Sequence, residues 1–241
     1  PGRDLPGALE ARAQGEPGMS ARDDIFNNIR RSLGVKGNET IRRQIAAERL
    51  ERAPRGVVPA RGQVSGEERL ALFKAQAEAA FTTVTEVDSA AEVPQSIALF
   101  LRNHNLPATL RMGDDPRLKA MPWADTTLEI AHGPSAGGDL NAVSHAFGAV
   151  AETGTLAMVS GHENPSTLNF LPDNHIIVVS AKDIAGDYES VWNRVRHAFG
   201  KSSMPRTVNL ITGPSRSGDI EQTLLLGAHG PRRLHVVVVR G

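Results

Sequence analysis

The chain has 241 residues, enough to bury a substantial core, and with 40% hydrophobic, 22% charged and only 4% aromatic residues that core must rest on Val, Leu, Ile and Ala. Its 27 basic residues equal its 27 acidic ones, which removes the broad electrostatic attraction that a nucleic-acid or anionic-membrane binder would carry. With no cysteine, the chain has no disulfide, no thiol nucleophile and no thiolate to hold zinc or an iron–sulfur cluster. No apolar run of about 18 residues and no leader pattern is found, so a cytoplasmic location without membrane insertion is expected.

Residues 1–18 are rich in Pro, Gly and charge without apolar periodicity, and are expected to form a flexible extension. Met19 and Ser20 then introduce a helix: Ser20 is its cap, Asp23 and Asp24 sit in its first turn, Ile25, Ile29 and Leu33 share one face, and Gly34 ends it. A second, charged helix is expected over 39–52. Pro54 and Pro59 make the following stretch extended. A third helix begins near Ser65, which has capping-box spacing to Glu68, and carries Leu70, Phe73, Ala77 and Phe81 on its apolar face. Residues 19–81 are therefore expected to be an N-terminal helical region.

From residue 82 onward, short β-branched runs alternate with helical patterns, the mark of a layered α/β domain over 82–241. Strands are expected at 83–87, 108–111, 127–130, 146–150, 155–159, 176–179, 208–211 and 235–239. One helix starts near Pro94 and another covers 184–199, with Gly200 as its terminator. The runs IIVV and VVVV, at 176–179 and 236–239, are apolar throughout and read as central strands covered on both faces. The pair flanking Gly154 reads as an antiparallel excursion, so the expected architecture is an α/β/α sandwich with a mixed sheet.

Three loops could carry chemistry. In TGPSRSGDIEQT (212–223), a strand runs into glycine, hydroxyl residues and an acidic helix start. Gly213, Ser215, Arg216 and the amides of that start would suit an anion, or the segment is a plain turn in which Asp219 caps the helix. In AVAETGTLAMVSG (149–161), Glu152 sits among small residues with Thr153, Gly154 and Thr155. Its carboxylate could act in acid/base or nucleophilic chemistry, or accept backbone hydrogen bonds in a turn shaped by Gly154. In GAHGPRRLH (227–235), Gly230 and Pro231 shape a tight connection, and His229 could shuttle protons. His175, at the entrance to a buried strand, could join it, although scattered histidines also serve as structural hydrogen-bonding groups and no metal motif such as HExxH is present. No GxGxxG, GxxxxGK[ST] or GxSxG motif occurs, so nucleotide-binding and hydrolase readings lack their usual loops.

Taken together and in order, AETGTLAMVSG, LPDNHIIVV and ITGPSRSGDIEQTLLLGAHGPRRLHVVVV resemble the LUD domain of the lactate-utilisation protein C family from about Asp139 to Val239. MSARDDIFNNIRRSLG resembles that family's N-terminal helix. Ser144, His145 and Phe147, and HENP at 162–165, depart from its usual small-residue pattern. The resemblance implies an α/β/α sandwich similar to the NagB, ribose-5-phosphate isomerase and CoA-transferase group. It also implies a part in oxidising L-lactate to pyruvate beside partner proteins that carry iron–sulfur clusters, with no cofactor held by this chain. A small carboxylate or other anion would be the ligand. Two other readings follow from the same residues: a free-standing CoA-transferase-like or sugar-phosphate enzyme using Glu152, and a metabolite-sensing module.

Overall fold

Ser20 opens the first described element, its hydroxyl accepting from the Asp23 amide while the Asp23 carboxylate accepts from the Ser20 amide, a complete capping box. That helix, α1 (Ala21–Leu33), ends at Gly34 in the left-handed region, and α2 (Thr40–Arg52) follows. The computed structural model describes residues 20–200, 203–218, 224–227 and 229–241, and its contacts divide after Pro54. The expected extension at 1–18 lies outside the described residues. In the first unit, neither α1 nor α2 has a buried residue.

The second unit, Arg55–Gly241, takes in the third helix, α3 (Gly66–Ala79). Leu70, Phe73 and Ala77 of α3 are buried with the sheet residues of this unit, so the helical region expected to run to residue 81 is divided at Pro54. Ser65 stands at the cap position, but its side chain makes no cap hydrogen bond. The chain then runs through β1 (Thr83–Val87), α4 (Val93–Asn103), β2 (Thr109–Met112), the short α5 (Pro116–Lys119), β3 (Glu129–His132), β4 (Asn141–His145), β5 (Gly148–Val150) and β6 (Thr155–Val159). It continues through β7 (Asn174–Ser180), β8 (Ile184–Ala185), α6 (Tyr188–Phe199), β9 (Val208–Ile211), β10 (Arg216–Gly218), β11 (Leu224–Leu226) and β12 (Arg233–Val239).

Six strands form one sheet in the order β1-β12-β7-β4-β2-β3, and every pairing in it is parallel. The two apolar runs, in β7 and β12, lie side by side within this sheet. Val236 and Val238 of β12 face one core with Ile177 and Val179, whereas Val237 and Val239 face another with Ile176 and Val178. This period-2 split explains why those strands are apolar on both faces. One core is closed by α4 through Val93, Ile97, Phe100 and Leu101; the other is closed by α3 and by a second sheet, β8-β5-β6-β9. Antiparallel pairing is found in that second sheet, where β6 pairs antiparallel with both β5 and β9. On its other side Val191 and Tyr188 of α6 pack against Val150, Ala157 and Ala185. The result is an α/β/α arrangement.

Two expected elements change at this level. The strand placed at 146–150 is the end of a longer segment: Asn141–His145 pairs with β7 and β2, and the chain then crosses Ala146 and Phe147 into β5 of the second sheet. The helix placed at 184–199 begins only at Tyr188, because Ile184 and Ala185 pair with Ala149 and Val150 and Asp187 accepts the Ser190 amide as the cap.

Candidate functional site

The turn between β5 and β6 presents Glu152, and its surroundings are dictated by close backbone approaches. Gly154 has φ +65°, and a Cβ there would lie 2.3 Å from the Ala77 amide nitrogen, so the turn is pressed against the backbone of α3. Gly62 and Gly186 approach so closely that a Cβ on either would lie 2.0–2.3 Å from the other's carbonyl oxygen. Glu152 donates its amide to that Gly186 carbonyl, and its side chain, 4% exposed, lies with Oε2 at 3.8 Å from Nε of Arg61. Oε2 has no hydrogen-bond partner among the described residues. Glu152 is thus an enclosed carboxylate with one distant cationic neighbour.

Beside it, four hydroxyls form one cluster. Thr155 Oγ1 lies 2.7 Å from Thr153 Oγ1, 2.8 Å from the Tyr188 hydroxyl and 2.6 Å from Thr212 Oγ1. Thr212 ties the first expected loop to the second. Gly213 (φ +78°) is packed on the Ala80 carbonyl, which would lie 2.2 Å from an added Cβ, and this closeness accounts for the glycine without a ligand. The Arg216 guanidinium lies over the Phe81 ring, 3.6 Å from its centroid.

The first loop meets the third through Ser215. Its amide donates to the Pro231 carbonyl at 2.8 Å, its carbonyl accepts from the Gly227 amide, and its hydroxyl lies 3.4 Å from the His229 amide. Gly230 lies against the Ser215 side chain, with 3.5 Å left for a Cβ. After Gly213, Arg216–Gly218 pairs antiparallel with Leu224–Leu226, and the helix start expected at Asp219 falls between them. The single bond from the Gly227 amide to the Ser215 carbonyl draws the two segments together, and the Ser215 amide is taken up by Pro231. Asp219 lies outside the described residues.

His175 does not join these loops. It is fully buried near the start of β7, Nε2 at 3.0 Å from Ser144 Oγ and Nδ1 unpartnered, and burial pushes its pKa down to about 3. It is a neutral core histidine. Among the described residues no group of three or more His, Asp and Glu is placed to hold a metal ion, and no helix is long and apolar enough to cross a membrane.

A cavity that the sequence did not signal lies at the other end of β6, where the expected loops surround Thr155 but Val159 borders the open space. It is about 380 Å³, lined among others by Asp115, Arg117, His145, Phe147, Asn164 and Phe199. His145 ends β4 and Asp115 follows β2, so the cavity lies outside the carboxyl ends of parallel strands, where open α/β sheets place their ligands. Asp115 caps α5 through the Arg117 amide and is gripped by Arg117 Nε at 3.0 Å and Nη2 at 2.6 Å. Burial opposes its ionisation, but the guanidinium prevails and holds the Asp115 carboxyl below its ordinary value. Burial, helped by the Arg117 charge, pushes His145 below the ordinary imidazole value. His145 Nδ1 lies 2.8 Å from the Ala146 carbonyl, which only accepts, so Nδ1 carries the proton and Nε2 presents a lone pair. Asn164, 6% exposed, donates Nδ2 to the Val159 carbonyl and leaves Oδ1 unpartnered. His145, Phe147 and Asn164 fall within the two stretches that depart from the small-residue pattern noted in the sequence.

Comparison with known proteins places this arrangement. The LUD domain model matches residues 141–239, from the start of β4 to the end of β12. Residues 141–239 are thus similar to the LUD domain. A relative named lactate utilization protein C, from an Exiguobacterium species, is 26% identical over 234 residues, covering 92% of this chain and 96% of the relative. Another of that name, from a Geobacillus species, is 26% identical over 193 residues, 73% of this chain and 79% of its own. An uncharacterized protein of Neisseria meningitidis serogroup B is 38% identical over a shorter stretch of 91 residues, 38% of its length. Among solved structures, a DUF162 family protein from Deinococcus radiodurans matches with TM-score 0.55 and 27% identity, covering 73% of this chain and 99% of that one. Both β4, with His145, and the Glu152 turn lie inside the LUD match.

Proposed function

We propose that this chain is a LUD-domain protein that acts in lactate utilisation, as the cluster-free component of an iron–sulfur system that oxidises L-lactate to pyruvate. The observation that carries the reading is the near end-to-end match to a relative named lactate utilization protein C. Cysteine content supports the division of labour, because a chain without thiolates leaves cluster ligation to its partners. Those partners are iron–sulfur proteins, and the ligand handled by this chain is a small carboxylate.

The test is genetic and biochemical together. A strain lacking the gene, and lacking any duplicate of it, should grow poorly on L-lactate as sole carbon source and normally on pyruvate. A tagged copy that restores growth should co-purify with cysteine-rich proteins bearing iron–sulfur absorbance. Normal growth of the deletion strain on lactate overturns the reading. The alternative of a free-standing transferase would ask Glu152 to attack an acyl group, yet its carboxylate is 4% exposed beneath Arg61 and the Gly62–Gly186 contact. No observation favours it.

A further inference from the structure

We infer that the cavity at the carboxyl ends of β2 and β4 is a binding site for a small 2-hydroxy carboxylate, with His145 Nε2 accepting the hydroxyl hydrogen and Arg117 facing the carboxylate; this rests on the lactate reading above. The argument is one of complementary hydrogen-bonding groups. Because Nδ1 of His145 donates to the Ala146 carbonyl, Nε2 is an acceptor with no partner among the described residues. Asn164, whose amide donates Nδ2 to the Val159 carbonyl, closes the wall beside it, its Oδ1 enclosed and out of reach of the cavity. An open acceptor asks for a ligand that donates, and a hydroxyl does so without adding positive charge to a buried place.

Arg117 fixes the other end. Asp115 occupies Nε and Nη2, and no described residue is bonded to Nη1, so one edge of a guanidinium that stays charged remains for a carboxylate. Of the acidic groups around the cavity, Asp115 is matched by Arg117 at 2.6 Å, Asp183 by Arg194 at 2.6 Å and Asp114 by Lys119 at 2.7 Å, which leaves Glu163 as the one lining carboxylate without an ion pair among the described residues. The pocket is therefore not an acidic hole for a cation. Phe147 and Phe199, with ring centroids 6.3 Å apart, supply apolar wall for the carbon end of the ligand. A hydroxyl beside a carboxylate, on a short carbon chain, meets all three demands at once.

The test uses the purified full chain and calorimetric titration with L-lactate, with propionate, which lacks the hydroxyl, and with L-lactamide, which lacks the charge. Propionate and lactamide should each bind at least about tenfold more weakly than L-lactate, because propionate leaves the buried His145 Nε2 unpaired and lactamide offers Arg117 no charge. The imidazole nitrogens of His145, followed by NMR and assigned by their loss in His145→Phe, should shift with lactate. Arg117→Ala should weaken lactate binding by about tenfold or more and Arg117→Lys by less, while Arg216→Ala, at the far end of β6, should leave it unchanged. The ligand series needs no variant to fold. Absence of lactate binding, equal binding of propionate, or a bound state that leaves the His145 signals in place overturns the site. Lactate bound at another place removes this site and leaves the lactate reading intact, whereas normal growth of the deletion strain removes that reading without altering the titration.

Discussion

Replacing Gly154 by alanine tests the contact that fixes the Glu152 turn. Two costs act at that position. A left-handed backbone, φ +65°, costs an alanine roughly 1–2 kcal/mol. The added Cβ would also lie 2.3 Å from the Ala77 nitrogen, 2.6 Å from the Ala77 Cα and 2.6 Å from the Gln76 carbonyl carbon, all helix backbone that cannot rotate aside. Forcing a methyl into such a packed contact adds about 1–3 kcal/mol, for an expected loss of roughly 2–5 kcal/mol. Gly66→Ala is the internal control: φ is +53°, but nothing lies within 4 Å of its Cβ, so only the backbone cost of about 1–2 kcal/mol applies. The entropy lost by the unfolded chain is common to both substitutions and cancels in the difference. Urea unfolding followed by the fluorescence of Trp123 and Trp192 measures both variants. Equal destabilisation by the two would refute the close approach of α3 to the turn, and with it the account of why a glycine stands beside Thr155.

Three further outcomes are expected. His235 is stacked on Phe100 with centroids 4.0 Å apart, and burial pushes its pKa from 6.5 to about 4, so the folded chain keeps it neutral while the unfolded chain protonates. The associated stability, about 3 kcal/mol, is present above pH 6.5 and lost as the pH falls towards 4. His175 adds a loss in the same direction extending towards pH 3, and His235→Phe should flatten the urea midpoint between pH 6.5 and 4; an unchanged slope would count against a buried neutral His235. Thr155→Val removes the hydroxyl that joins Thr153, Tyr188 and Thr212 while keeping the volume, and should cost about 1–3 kcal/mol in thermal or urea unfolding. Glu152→Gln, by contrast, should change stability by less than about 1 kcal/mol, because Oε2 has no hydrogen bond to lose and Arg61 is 61% exposed; a loss near 3 kcal/mol would mean that the carboxylate holds the turn.

Periodicity made the sheet legible. The runs at 176–179 and 236–239 are apolar at every position because two cores claim alternate residues, and that pattern is visible without coordinates. Gly154 was legible as a turn, and its antiparallel flanks followed. The strand at 141–145 was not, because Asn141, Ser144 and His145 interrupt the apolar pattern, yet each is buried: Asn141 bonds the Pro107 and Thr109 carbonyls, and Ser144 meets His175. Losing that strand also lost the cavity at its end. The pairing of 216–218 with 224–226 was not legible either, because the bond from the Gly227 amide to the Ser215 carbonyl is a long-range fact that no local pattern carries. Of the expected site residues, Thr153 and Thr155 share the hydroxyl cluster, Ser215 and His229 share a hydrogen bond against which Gly230 packs, and His175 belongs to the core.

The crossing from β4 to β5 has a consequence for how this chain tolerates changes in length. Only Ala146 and Phe147 separate a strand of the parallel sheet from a strand of the second sheet. Side chains alternate faces with a period of two, so one inserted residue at that crossing would turn Ala149 and Ala151 out of the shared core and Val150 into it, unless the whole of β4 slipped by one against β7. Substitutions at 146 and 147 can be absorbed by repacking. A change of length cannot, which makes this two-residue junction a ruler that keeps the two sheets in phase.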